Sequence, residues 1–118
     1  MNIEELREYC LSLKGITEET PFGPDNLVYK VMGKMYALIP IDSELPCVVL
    51  KNTPDKNEYL RNEYDYVTVA YHFNKVHWIS INNTQKNSEL SKELIRESYE
   101  LVKAGLTKKL KAELDNLE

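Results

Sequence analysis

The sequence predicts an α+β fold of two layers, a five-stranded antiparallel sheet with helices on one face, in the order α-β-β-β-α-β-β-α-α. Three observations predict it. Apolar residues recur at helical spacing near both ends of the chain. Runs rich in β-branched and aromatic residues occupy the middle. Those runs follow one another across short turns, which pairs them antiparallel and leaves the helices to cover one face. With 118 residues, 42% of them hydrophobic, the chain suits one core and one domain, residues 1–118.

Taken in order, Asn2 followed by Glu5 is a helix start with its capping-box partner. Ile3, Leu6, Cys10 and Leu13 then recur on one face, and Lys14-Gly15 ends the helix. Pro21-Phe22-Gly23-Pro24-Asp25-Asn26 is an irregular loop. Residues 27–32 and 35–41 alternate as strands, with Gly33-Lys34 as a two-residue turn between them. After the polar turn Asp42-Ser43-Glu44, residues 46–51 form a third strand, with Pro46 tolerable at its first position. Thr53-Pro54 caps a short second helix anchored by Leu60. Ser88 caps a long helix over residues 89–103, with Leu90, Leu94, Ile95, Leu101 and Val102 as its buried stripe. Gly105 breaks it, and Thr107 starts a last helix with Leu110, Leu114 and Leu117 on one side.

Between the second and third helices lies the densest stretch, Tyr71-His72-Phe73-Asn74-Lys75-Val76-His77-Trp78. It holds both histidines and the only tryptophan. Residues 67–71 and 76–81 read as strands, and Asn74-Lys75 as the two turn residues, since Asn tolerates positive φ. That register sets Phe73 opposite Val76, His72 opposite His77 and Tyr71 opposite Trp78, with the aromatic residues on one face and the histidines on the other.

Composition narrows the function. Net charge is −4, so bulk electrostatics does not favour nucleic acid. No apolar run approaches the ~20 residues of a membrane span, and the acidic N-terminus does not resemble a signal peptide. Two widely spaced cysteines point to a reducing cytoplasm. No Gly-rich phosphate loop, nucleophile elbow or metal motif occurs, so neither an enzyme nor a cofactor is expected. The default oligomeric state is a monomer.

Pro21-Phe22-Gly23-Pro24-Asp25, the strand end Gly33-Lys34-Met35-Tyr36-Ala37-Leu38, the 71–78 stretch, Glu93-Leu94-Ile95-Arg96-Glu97-Ser98-Tyr99-Glu100-Leu101-Val102 and Leu106-Thr107-Lys108-Lys109-Leu110 together resemble the MmcQ/YjbR family of small bacterial proteins. The resemblance covers nearly the whole chain. It implies a two-layer α+β fold with a five-stranded antiparallel sheet, similar in shape to type III secretion chaperones. It also implies the family's "double-wing" DNA-binding label.

Each constellation carries a bland alternative. His72 and His77 have the chemistry of a metal pair, but too few ligands accompany them, and two hydrogen-bonded surface histidines are expected instead. Tyr71, Phe73 and Trp78 have the chemistry to stack bases, but are expected to form core beneath the long helix. Lys34, Lys75, Lys108, Lys109 and Lys111 are the candidates for phosphate contact, against the alternative of solvated faces. Phe22 is expected to plug one end of the core, and Cys10 and Cys47 to be packed and inert. Two functions follow. One is weak, non-sequence-specific DNA binding through the lysines. The other is a protein- or peptide-interaction module on an exposed sheet edge or face.

Overall fold

Three of the four helices begin where a side chain accepts a backbone amide. In the computed structural model, which describes residues 1–117, helix α1 (Ile3–Ser12) opens on the full capping box: Asn2 Oδ1 accepts from Glu5 N at 2.8 Å, and Glu5 Oε1 from Asn2 N at 3.0 Å. Helix α2 (Pro54–Glu63) is capped by Thr53, with Pro54 at its first position, and helix α4 (Lys108–Asp115) by Thr107. Helix α3 (Ser88–Ala104) departs from the expected Ser88 cap. Its N-cap is Asn87, whose side chain serves the preceding loop instead. The amide donates to Asn82 O and accepts from Thr84 N.

The sheet has six strands rather than five: β1 (Ile16–Glu19), β2 (Asn26–Val31), β3 (Lys34–Pro40), β4 (Cys47–Lys51), β5 (Val67–Val69) and β6 (Trp78–Asn82). They lie in the order β1-β2-β3-β4-β6-β5, every pair antiparallel. The unexpected strand β1 is short and polar, and only its tertiary partners make it a strand. It pairs with β2, and its Glu18 is held by Arg7 of α1 through two hydrogen bonds (3.0 and 3.1 Å) and by the Tyr29 hydroxyl at 2.5 Å. The β2–β3 turn is Met32-Gly33, both at positive φ (48° and 88°), one residue earlier than expected. Lys34 therefore heads β3, paired with Val31, and a bulge between Tyr29 and Lys30 shifts the outer pairs by one residue, to Tyr29 with Ala37 and Val28 with Leu38.

All four helices cover one face. Leu6 and Cys10 of α1, Leu60 of α2, Leu94, Ile95, Tyr99 and Val102 of α3 and Leu114 of α4 meet Tyr29, Tyr36, Ile39, Leu50, Ile79 and Ile81 from the sheet. Leu101, expected in the stripe, is only half-buried, while Ser98 and Tyr99 face inward. Buried tyrosines tie α1 and its C-terminal extension to this layer, because a phenol can fill apolar space and still bond a carbonyl that the helix end leaves orphaned. Tyr36 donates to Cys10 O at 2.5 Å and Tyr99 to Lys14 O at 2.7 Å. Burial pushes the Cys10 thiol up to about 12, so it stays protonated and unreactive.

The Arg7–Glu18–Tyr29 cluster gives folding a pH dependence. Hydrogen bonding to Arg7 holds the Glu18 carboxyl below the usual carboxylate range. A carboxylate with a lowered folded pKa contributes stability above its unfolded value, about 4.3, and loses it as pH falls through the lowered value. Glu18→Gln is therefore expected to be less stable than wild type at pH 7, with a gap that closes in acid. Urea midpoints measured between pH 7 and pH 2 check this.

A candidate binding groove on the helix-free sheet face

The other face of the sheet carries no helix. Val28, Leu38, Val49 and Ala70 form a second apolar cluster there, with Met35, Phe73 and Trp78 half-buried against it. The alternation of each strand causes this: Val49, between the core residues Val48 and Leu50, points the opposite way. Paired neighbours share the face, Leu38 with Val49, Val49 with Ser80 and Ser80 with Thr68.

One wall is the β5–β6 connection, and here the expected two-residue hairpin does not form. Strand β5 stops at Val69, and residues 70–77 make a longer connection. The observed register, Val69 with Ile79 and Thr68 with Ser80, is one residue off the expected one. Tyr71 is therefore not opposite Trp78, and His72 and His77 are not ladder neighbours. Asn74 is the organiser, but as a side-chain acceptor: its Oδ1 takes the amides of Val76 (2.9 Å) and His77 (3.3 Å) while its carbonyl accepts from Trp78 N (3.0 Å). Buried Asn57 of α2 pins the segment from outside, donating to Val76 O at 3.0 Å and Asn52 O at 3.2 Å.

The connection and the 21–25 loop leave a groove of about 520 Å³ between them. Its floor is Leu38, Val49 and Ala70; Thr68, Ser80, Asn26 and Asn82 add neutral polar groups. Phe22 and Tyr71 stand at its margins, 62% and 76% exposed. No Lys, Arg, Asp or Glu lines it, in a chain that is 29% charged. Such a surface suits an uncharged occupant that is partly apolar, since burying an unpaired charge there carries a large penalty.

Several expected placements are corrected. Phe22 does not plug the core but lies exposed beside the groove. Phe73 and Trp78 pack against each other, centroids 5.4 Å apart, on the helix-free face rather than beneath the long helix. Val76, expected to share that aromatic face, is exposed. His72 lines the groove, His77 does not, and both are exposed. Among the described residues no three His, Cys, Asp or Glu are grouped to hold a metal ion. Cys47 is packed as expected, its Sγ 2.8 Å from Ser80 Oγ.

The candidate lysines are all exposed. Lys34 and Lys75 lie toward the same end of the sheet, Lys34 at the start of β3 and Lys75 in the connection that leads into β6, with β4 between those two strands. Lys75 Nζ sits 5.7 Å from the Tyr71 ring. Lys108, Lys109 and Lys111 belong to the helical layer, on a helix that also carries Glu113 and Asp115. None of the five reaches the groove.

Comparison with known proteins places these features in a lineage. The family model YjbR matches residues 11–101. YbdF of Escherichia coli O157:H7, called an uncharacterized protein, is 35% identical over 107 residues, 90% of this chain and 88% of that one. YjbR of Escherichia coli K12 is 30% identical over 81 residues, 69% of each chain. The crystal structure of Deinococcus radiodurans DR2400, of domain family DUF419, superposes with a TM-score of 0.86 at 35% identity, covering 97% of this chain and 88% of its own. A Pseudomonas syringae protein gives a TM-score of 0.74 at 26% identity over 86% of this chain and 98% of its own.

Proposed function

This chain belongs to the YjbR family, and on that premise we propose that it is a non-enzymatic, cytoplasmic binding domain that holds an uncharged segment of a partner protein on the helix-free face of its sheet. The observation that carries the reading is the charge-free groove of about 520 Å³, flanked by the exposed rings of Phe22 and Tyr71. Exposed aromatic rings beside an apolar floor are what partner anchors use. Both cysteines are free and buried, in keeping with a reducing compartment. No helix among the described residues is long and apolar enough to cross a membrane.

A second reading, non-specific DNA binding, has one observation in its favour: Lys34 and Lys75 share an end of the sheet. Contact with so few phosphates gives affinities near ~10⁻⁴–10⁻⁶ M that fall with salt. The two readings separate in one experiment. Proteins retained from lysate by the immobilised domain are expected to survive nuclease treatment, to be lost with Thr68→Arg, which puts bulk and charge into the groove, and to persist with Lys75→Glu/Lys108→Glu. Loss on nuclease treatment and with the lysine reversal, together with salt-dependent binding of duplex DNA by wild type, would make DNA the ligand.

A further inference from the structure

We infer that the occupant of the groove is an extended peptide whose backbone is read by the carboxamides of Asn26 and Asn82; this rests on the proposed function and names the chemistry of its ligand. Both residues line the groove, and neither side chain hydrogen-bonds to any group among the described residues. Asn26 pairs with Pro40 at the start of β2, and Asn82 pairs with Cys47 at the end of β6. Since β3 ends and β4 begins at that same edge, the two amides stand at one end of the sheet with strands β3 and β4 between them.

Three strand steps of about 4.8 Å separate them by about 14 Å. An extended chain covers that distance in about four residues. A carboxamide offers one acceptor and two donors, the complement of a peptide group, and so can take a backbone C=O and N–H together. Between the two amides lie Pro40 and Cys47, and one pleat further along the strands the apolar floor continues at Leu38 and Val49; alternate side chains of such a segment rest on these residues. The absence of formal charge along the groove selects for a segment that is itself uncharged over that length. The exposed Phe22 ring then lies over one end of the segment.

The test is selection of a random peptide library displayed on phage against the full-length domain, with Thr68→Arg and Asn26→Ala/Asn82→Ala as comparison proteins. Wild type is expected to enrich peptides with about four consecutive uncharged residues, aliphatic or aromatic at alternate positions. Synthetic copies should bind the double alanine variant about tenfold or more weakly. Because neither amide has a protein partner among the described residues, that variant should melt with wild type, which separates lost recognition from lost folding. Enriched peptides that carry charges, or that bind the double variant as well as wild type, overturn this inference. If those peptides are nevertheless lost with Thr68→Arg, the groove reading stands without it. No enrichment, while lysate partners are still lost with Thr68→Arg, likewise sinks the peptide and leaves the groove. A dimer by sedimentation that Thr68→Arg dissociates identifies a second copy of the chain as the occupant, against the inference. No enrichment and no groove-dependent partner overturns both.

Discussion

Leu94→Ala is expected to destabilise the fold by about 2–5 kcal/mol, a large part of the 5–15 kcal/mol typical of a domain. Leu94 sits in the middle of α3 with 1% of its surface exposed, in the cluster that joins all four helices to the sheet. Truncation removes its transfer free energy and leaves a cavity that the surrounding layer cannot close. Trp78→Ala is expected to cost less despite the larger side chain, because Trp78 is half-buried on the helix-free face, where water can occupy the space. Guanidinium unfolding of both variants gives the ordering. Should Trp78→Ala prove the more damaging, the division into a helix-covered core and an open face would be wrong in its energetics.

Ser98→Ala is expected to cost about 2–4 kcal/mol, far more than a serine-to-alanine change in a helix, where alanine is the better helix former. Strands β3 and β4 pair only at Ala37 with Leu50 and Leu38 with Val49. At the next position the Ser98 hydroxyl enters the ladder from α3. It accepts from Lys51 N at 2.9 Å and donates to Tyr36 O at 2.6 Å. Removing it orphans two backbone groups beside a fully buried residue, each worth about 1–3 kcal/mol when unsatisfied. Hydrogen exchange localises the effect: the Lys51 amide should lose protection selectively in the variant. A near-wild-type midpoint would mean that the two strands close up and bond directly.

Much of the candidate site lay beyond reach of sequence periodicity, for a physical reason that differs from residue to residue. A phenylalanine between prolines, as Phe22 is, has the same sequence signature whether it plugs a core or borders a groove. The runs Tyr36-Ala37-Leu38-Ile39 and Cys47-Val48-Val49-Leu50 held a usable signal: continuous apolar strands mark sheets that are covered on both faces. Here they are buried throughout, yet only one face carries helices. Asn26, Asn82 and Ser80 gave no signal, since an isolated amide or hydroxyl is equally at home in a turn, a cap or a site.

The sequence by itself determined the α+β class, the four helices, the caps at Asn2, Thr53 and Thr107 and the break at Gly105. These depend on contacts within a few residues of one another. Only the tertiary structure decided the strand count, the hairpin register and the groove. Strand β1 exists because β2, Arg7 and Tyr29 hold it, and the 70–77 connection is set by Asn74 together with Asn57 of a different element. Side chains in a strand alternate with a period of two whichever face is later covered, so alternation cannot say which face the helices take. That choice, made by the packing of α1 and α3, leaves Val49 and Leu38, although buried, on the face without helices, where they form the floor of the groove.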